Sequence, residues 1–144
     1  MIAVDTNVLV YAHREEAPEH EAAKDRLREL AEGDLPWALP VFCLGEFLRV
    51  TTHPRVFSPP STLDQALSAL DGLLESPMLR VLNPGARYPT WLDRLARQGD
   101  ARGNLAFDAQ IAAVCLENGV RRLLTLDRDF ARFPEIEIEP LASR

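Results

Sequence analysis

Residues 37–50 read WALPVFCLGEFLRV. Trp37–Leu39 is a short apolar run held between Pro36 and Pro40, and the segment from Val41 to about Thr52 is apolar at helical spacing nearly all the way round. The pair reads as a strand passing directly into a buried helix, the building unit of a parallel sheet. One residue breaks the apolar surface. Glu46 is the only carboxylate in the stretch, and an ionised carboxylate is rarely buried unless something pairs with it.

The same alternation runs outward through the chain. Ile2–Val4 reads as a strand. Pro18–Glu32 reads as a helix with proline at its start, Gly33 beyond its end, and Ala23, Leu27, Leu30 and Ala31 on one stripe. THPRVFSPPS, residues 52–61, is a loop, after which Ser61 with Asp64 opens a helix. Leu63, Ala66, Leu67, Leu70, Leu73 and Leu74 are its expected core face. Arg80–Leu82 is a third strand, and Thr90 with Asp93 starts a helix that ends near Gly99. Asn104–Asn118 is a helix closed by Gly119, and Arg122–Leu126 is a fourth strand. EIEIEP, residues 135–140, alternates strictly. It predicts a charged edge strand with Ile136 and Ile138 inward and Glu135, Glu137 and Glu139 in water. The expectation is an α/β fold of three layers, α/β/α, around a mostly parallel sheet of four to five strands, forming one domain over residues 1–144.

Composition narrows the classes of function. No apolar run approaches a membrane span. The start, MIAVDTNVLVYA, has no basic segment before its apolar run and carries an acid within it, unlike a secretory leader. Cys43 and Cys115 lie in apolar helical patterns and read as reduced core thiols of a cytoplasmic protein, and His13, His20 and His53 form no zinc signature with them. The net charge of −6 disfavours a general electrostatic grip on nucleic acid, although the cations are fifteen arginines against one lysine.

In parallel sheets ligands bind outside the carboxyl ends of the strands. Asp5 ends the first strand and Asp127 the fourth. Glu46 lies about a turn and a half into the helix after strand two, and Asp108 about one turn into the helix from Asn104. Asn104 and Asp108 share a helix face. Several carboxylates in one pocket repel one another and lift each other's pKa, a penalty that a bound divalent cation removes. Oxygen ligands without thiolates or imidazoles favour Mg²⁺ or Mn²⁺ over zinc. A metal shared with Asp5 and Asp108 is thus the expected partner of Glu46. Each residue also has a plainer reading. Glu46 pairs with Arg49; Asp5 and Asp127 cap turns; Asn104 is a helix cap; Asp129 starts the DFARF turn; Thr6 and Thr125 are strand-end residues.

DTNVLVYA, GEFLRV, NLAFDAQIAAVCLENG and LLTLDRDFARFP occur in this order along nearly the whole chain. Together they resemble the PIN-domain ribonucleases, most closely the VapC toxins of prokaryotic type II toxin–antitoxin pairs. The resemblance places the family's acidic quartet on Asp5, Glu46, Asp108 and Asp127, as catalytic and metal-binding residues. Supporting polar positions fall on Thr6, Asn7, Asn104 and Thr125. It implies Mg²⁺-dependent endonucleolytic cleavage of RNA, with Mn²⁺ as a substitute. Asp5, Glu46 and Asp108 would hold the first metal; Asp127 would orient a water or help hold a second. It also implies a homodimer and a cognate antitoxin inserting a peptide near the acids, with the apolar, proline-rich region from Val56 to Leu74 as a candidate groove. The identity of the RNA and the number of metals stay open.

Rival readings are a non-catalytic binding module on a nuclease-like fold and a DNA-directed nuclease of the same family. A dehalogenase-type phosphatase needs a second Asp where Asn7 stands, and a receiver domain needs a late-strand lysine where the only lysine is Lys24.

Overall fold

The computed structural model describes residues 1–141. Five strands, Ile2–Val4 (β1), Trp37–Pro40 (β2), Leu79–Leu82 (β3), Arg122–Leu124 (β4) and Glu137–Glu139 (β5), form one sheet, every neighbouring pair parallel, in the order β3-β2-β1-β4-β5. The helices are Thr6–His13 (α1), His20–Glu32 (α2), Phe42–Thr51 (α3), Leu63–Leu74 (α4), Tyr88–Gly99 (α5) and Leu105–Glu117 (α6), and a 3₁₀ turn spans Arg128–Arg132. From β1 to β3 the chain steps in one direction across the sheet, so right-handed crossovers place α1–α4 on one face. The return from β3 to β4 places α5 and α6 on the other. The packing follows this division: α1 lies on α2 and α3, α3 on α4, and α5 on α6.

The central strands explain the order. β1 and β2 are buried at every residue, as expected of parallel strands covered on both faces. α6 is buried from Ile111 to Leu116. Trp37, Phe47, Phe130 and Phe133 are the bulkiest side chains of a core shared by both faces. Cys43 and Cys115 are free and buried in it. Among the described residues no helix is long and apolar enough to cross a membrane.

Several local expectations change. The sequence assigns no element to residues 6–13, where Val8 and Val10 weaken helix propensity; α1 forms there because Asp5 caps it and Val8, Leu9 and Val10 are buried. The helix after the proline-rich loop is opened by Thr62, not Ser61. Thr62 and Gln65 form a reciprocal capping box. Its expected core face is narrower than six residues: Ala66 and Leu70 are buried, whereas Leu63, Leu67 and Leu74 are exposed, because α4 rests chiefly on α3 alone. α5 begins at Tyr88 with Pro89 in its first turn, and β4 ends at Leu124.

The strict alternation of residues 135–140 also fails in part. Ile136 is buried, but Ile138 is exposed and Glu139 is partly buried. Glu139 accepts hydrogen bonds from Arg26 of α2 and Arg122 of β4. Two guanidinium groups compensate its burial on a short edge strand where only one neighbour constrains the side chains.

Candidate active site

The carboxyl ends of β1 and β4 lie side by side. The Asp5 N–H donates to the Leu124 carbonyl at 3.0 Å, which brings Asp5 next to Thr125 although 120 positions separate them. Thr125 Oγ1 donates to Asp5 Oδ2 at 2.7 Å, and the Thr6 N–H donates to Asp5 Oδ1 at 2.7 Å. The Thr125 hydroxyl accepts in turn from the Asp127 N–H at 3.0 Å and from Asn7 Nδ2 at 3.3 Å. Asn7 Nδ2 also reaches Asp5 Oδ2 at 3.4 Å, and Asn7 Oδ1 accepts from the Leu126 N–H at 3.4 Å. A single hydroxyl thus couples the first acid to the turn that carries the fourth. Thr6 is buried, and its own hydroxyl has no hydrogen-bond partner.

Capping and clustering prove compatible. Asp5 is the N-cap of α1, and Asp127 caps the 3₁₀ turn by accepting from the Asp129 N–H at 2.8 Å. Asn104 stands at the N-cap position of α6, but its side chain makes no capping bond and is exposed. Among the described residues Glu46, half-buried, forms no ion pair with Arg49 and accepts no hydrogen bond. The plainer reading of Glu46 therefore fails.

Asp108, Asp127 and Asp129 each offer an oxygen within 4.8 Å of the other two. Asp129 is the member that the sequence reading assigned to a turn alone. Asp5 and Glu46 stand beyond this trio yet close enough to act on it. Burial pushes Asp108 up to about 7, aided by the charges of Asp127, Asp5, Asp129 and Glu46. Burial likewise pushes Asp5 to about 6. The Thr125 and Thr6 hydrogen bonds oppose the rise, and the Glu46 and Asp127 charges add to it. Five carboxylates from four segments thus share one negative field at one edge of the sheet. The donor set is all oxygen, two members are raised to about 6 and about 7, and no cationic side chain is paired with any of the five among the described residues. These features fit a hard divalent cation.

Residues 2–136 match the PIN domain. The chain belongs to the PIN-domain family. Among curated relatives, ribonuclease VapC43 of Mycobacterium tuberculosis is 44% identical over 92% of this chain and 90% of its own length. Ribonuclease VapC25 of the same organism is 34% identical over 94% of this chain and 95% of its own. Among solved structures, VapBC2 of Rickettsia felis bound to a promoter DNA fragment aligns with a TM-score of 0.71 at 23% identity, covering 97% of this chain and 98% of that one. VapC20 of M. tuberculosis, a toxin that cleaves the sarcin–ricin loop, aligns with a TM-score of 0.67 at 22% identity over 91% and 93%. The three-layer α/β fold is therefore that of VapC structures. PIN-domain nucleases are generally divalent-metal dependent, and the acidic cluster accords with that requirement.

Proposed function

We propose that residues 1–144 act as one catalytic domain, a Mg²⁺-dependent endoribonuclease toxin of the VapC type, held in check by a cognate antitoxin. The observation that supports this reading most is the grouping of Asp108, Asp127 and Asp129 within ligand range, with Asp5 and Glu46 close enough for their charges to raise Asp108. The VapC names of the relatives and the toxin–antitoxin complexes among the structural neighbours support the substrate class and the partner.

In this reading Asp5, Glu46 and Asp108 hold Mg²⁺, or Mn²⁺ in its place, with Asp127 and Asp129 completing the site or orienting a water. The cation supplies charge neutralisation at the phosphodiester and an activated water nucleophile. The chain's own part is placement. Thr125 and the Thr6 N–H fix both oxygens of Asp5, Asn7 braces the Thr125 hydroxyl, and the Asp129 N–H fixes one oxygen of Asp127. Asn104 flanks the opening one turn before Asp108. The cytoplasm is the proposed location, in keeping with two buried free cysteines, and a homodimer the proposed assembly.

The test is cleavage-site mapping across total RNA with purified protein. Discrete cuts are expected with Mg²⁺ or Mn²⁺. None are expected in chelator or from Asp5→Asn that folds normally. Cutting that survives both treatments would refute the metal-carboxylate assignment.

A further inference from the structure

Phe107 stands in the first turn of α6, immediately before Asp108, with 54% of its surface exposed. It neither caps the helix nor joins the core, so folding gives it no role. Beside it lies a cavity of about 300 Å³ between α3 and α6, lined by Phe42, Glu46, Arg49, Phe107 and Gln110 among others. Glu46 lines this cavity and its charge acts on Asp5 and Asp108, so a group seated here lies beside the acidic edge. The volume is at the small end of ligand pockets, suited to one nucleotide rather than a folded element. Arg49 adds a second feature. Like several other arginines, Arg49 makes no ion pair among the described residues, and it is the arginine that lines this cavity. An unengaged guanidinium one helical turn from Glu46 is placed to meet a phosphate on a chain whose net charge is −6.

We propose that this cavity is a nucleotide subsite, in which Phe107 stacks on the base of a nucleotide adjoining the scissile phosphate and Arg49 contacts the phosphate on its far side. Aromatic stacking is how proteins hold unpaired RNA bases, and it tolerates any base while favouring the best stackers. The subsite rests on the ribonuclease reading and adds to it the demand that RNA enter as a single strand with one base turned onto α6.

The test crosses a protein change with a substrate change. kcat/KM is measured for the wild type, Phe107→Ala and Phe107→Trp on a short single-stranded RNA bearing a mapped cut site, and on two copies abasic at either nucleotide flanking that cut. Phe107→Ala is expected to lower kcat/KM about tenfold on the intact RNA, mainly through KM. It should cost nothing further on one of the abasic copies, while Phe107→Trp restores the intact-RNA value. Arg49→Ala should weaken all three substrates alike. An equal loss from Phe107→Ala on intact and abasic RNA would overturn the subsite. So would a Phe107→Ala protein whose defect tracks a changed oligomeric state, which would instead assign Phe107 to contact with a second copy. Failure of the wild type to cut any RNA with metal sinks the underlying ribonuclease reading, a result separate from both.

Discussion

Replacing Asp5 with Asn should stabilise the metal-free protein while destroying its response to metal. Asp5 is 5% exposed and its carboxyl is raised from 3.8 to about 6. Holding that group ionised in the fold costs about 3 kcal/mol at pH 8. Asparagine removes the charge and its repulsion by Glu46 and Asp127. It keeps one oxygen to accept from Thr6 but loses the acceptor that faces Thr125, an offset of about 1–2 kcal/mol. The net gain at pH 8 in chelator is then about 1–2 kcal/mol, or roughly 3–6 °C in Tm for a chain of this size. Between about pH 4 and pH 7 the folded metal-free wild type holds protons on Asp5 and Asp108 that the unfolded chain has released. Its stability therefore falls as pH rises through that window and levels off above it. Asp5→Asn should flatten this slope, leaving the smaller, solvent-screened contribution of Asp108. Adding Mg²⁺ at pH 8 should raise the wild-type Tm and leave that of Asp5→Asn nearly unmoved. Thermal unfolding across pH, with and without Mg²⁺, measures all of this. A variant less stable than the wild type in chelator at pH 8, or one stabilised equally by Mg²⁺, would show that Asp5 is not a strained ligand awaiting a cation.

Two further outcomes follow from the surrounding contacts. Thr125→Val keeps the shape but removes the donor to Asp5 and the acceptor for Asp127; the Mg²⁺ concentration for half-maximal cleavage should rise about 10- to 100-fold, and an unchanged metal titration would exclude Thr125 as an orienting residue. Arg14→Ala should cost about 2–3 kcal/mol. The buried guanidinium donates to Ser61 Oγ at 3.1 Å and the Pro59 carbonyl at 2.8 Å and lies 4.3 Å from the Phe57 ring centroid; denaturant unfolding with an unshifted midpoint would remove it as the clamp of the 52–61 loop.

The acids could be read from the sequence because their positions follow topology. A carboxylate ending a strand and one in the first turns of the next helix share a sheet edge, whatever the side-chain details. That logic reaches Asp5, Glu46, Asp108 and Asp127. Asp129 escapes it because its backbone role is the expected one, and only coordinates reveal that its carboxylate also turns toward Asp108. The available signal was the Asp-Arg-Asp spacing at a strand end. α1 escapes because an aliphatic, β-branched run says more about burial than about backbone form. The exposure of Leu63, Leu67 and Leu74 escapes because periodicity identifies an apolar face without saying whether anything covers it. Gly99 ends α5 as expected, and a Cβ there would also lie 2.7 Å from Phe133 Cε1, a packing demand invisible in one dimension.

The bond between Asp5 and Thr125 also ties completion of the site to the last part of the chain. β1 is the middle strand of the sheet, but its neighbour β4 is synthesised more than a hundred positions later. A polypeptide still emerging from the ribosome, or one cut short by a stop codon before β4, lacks the partner that holds Asp5 in place and both acids of the late turn. Such a fragment cannot assemble the acidic edge, so the site is complete only with near-completed translation, and a stop codon before β4 should abolish cleavage.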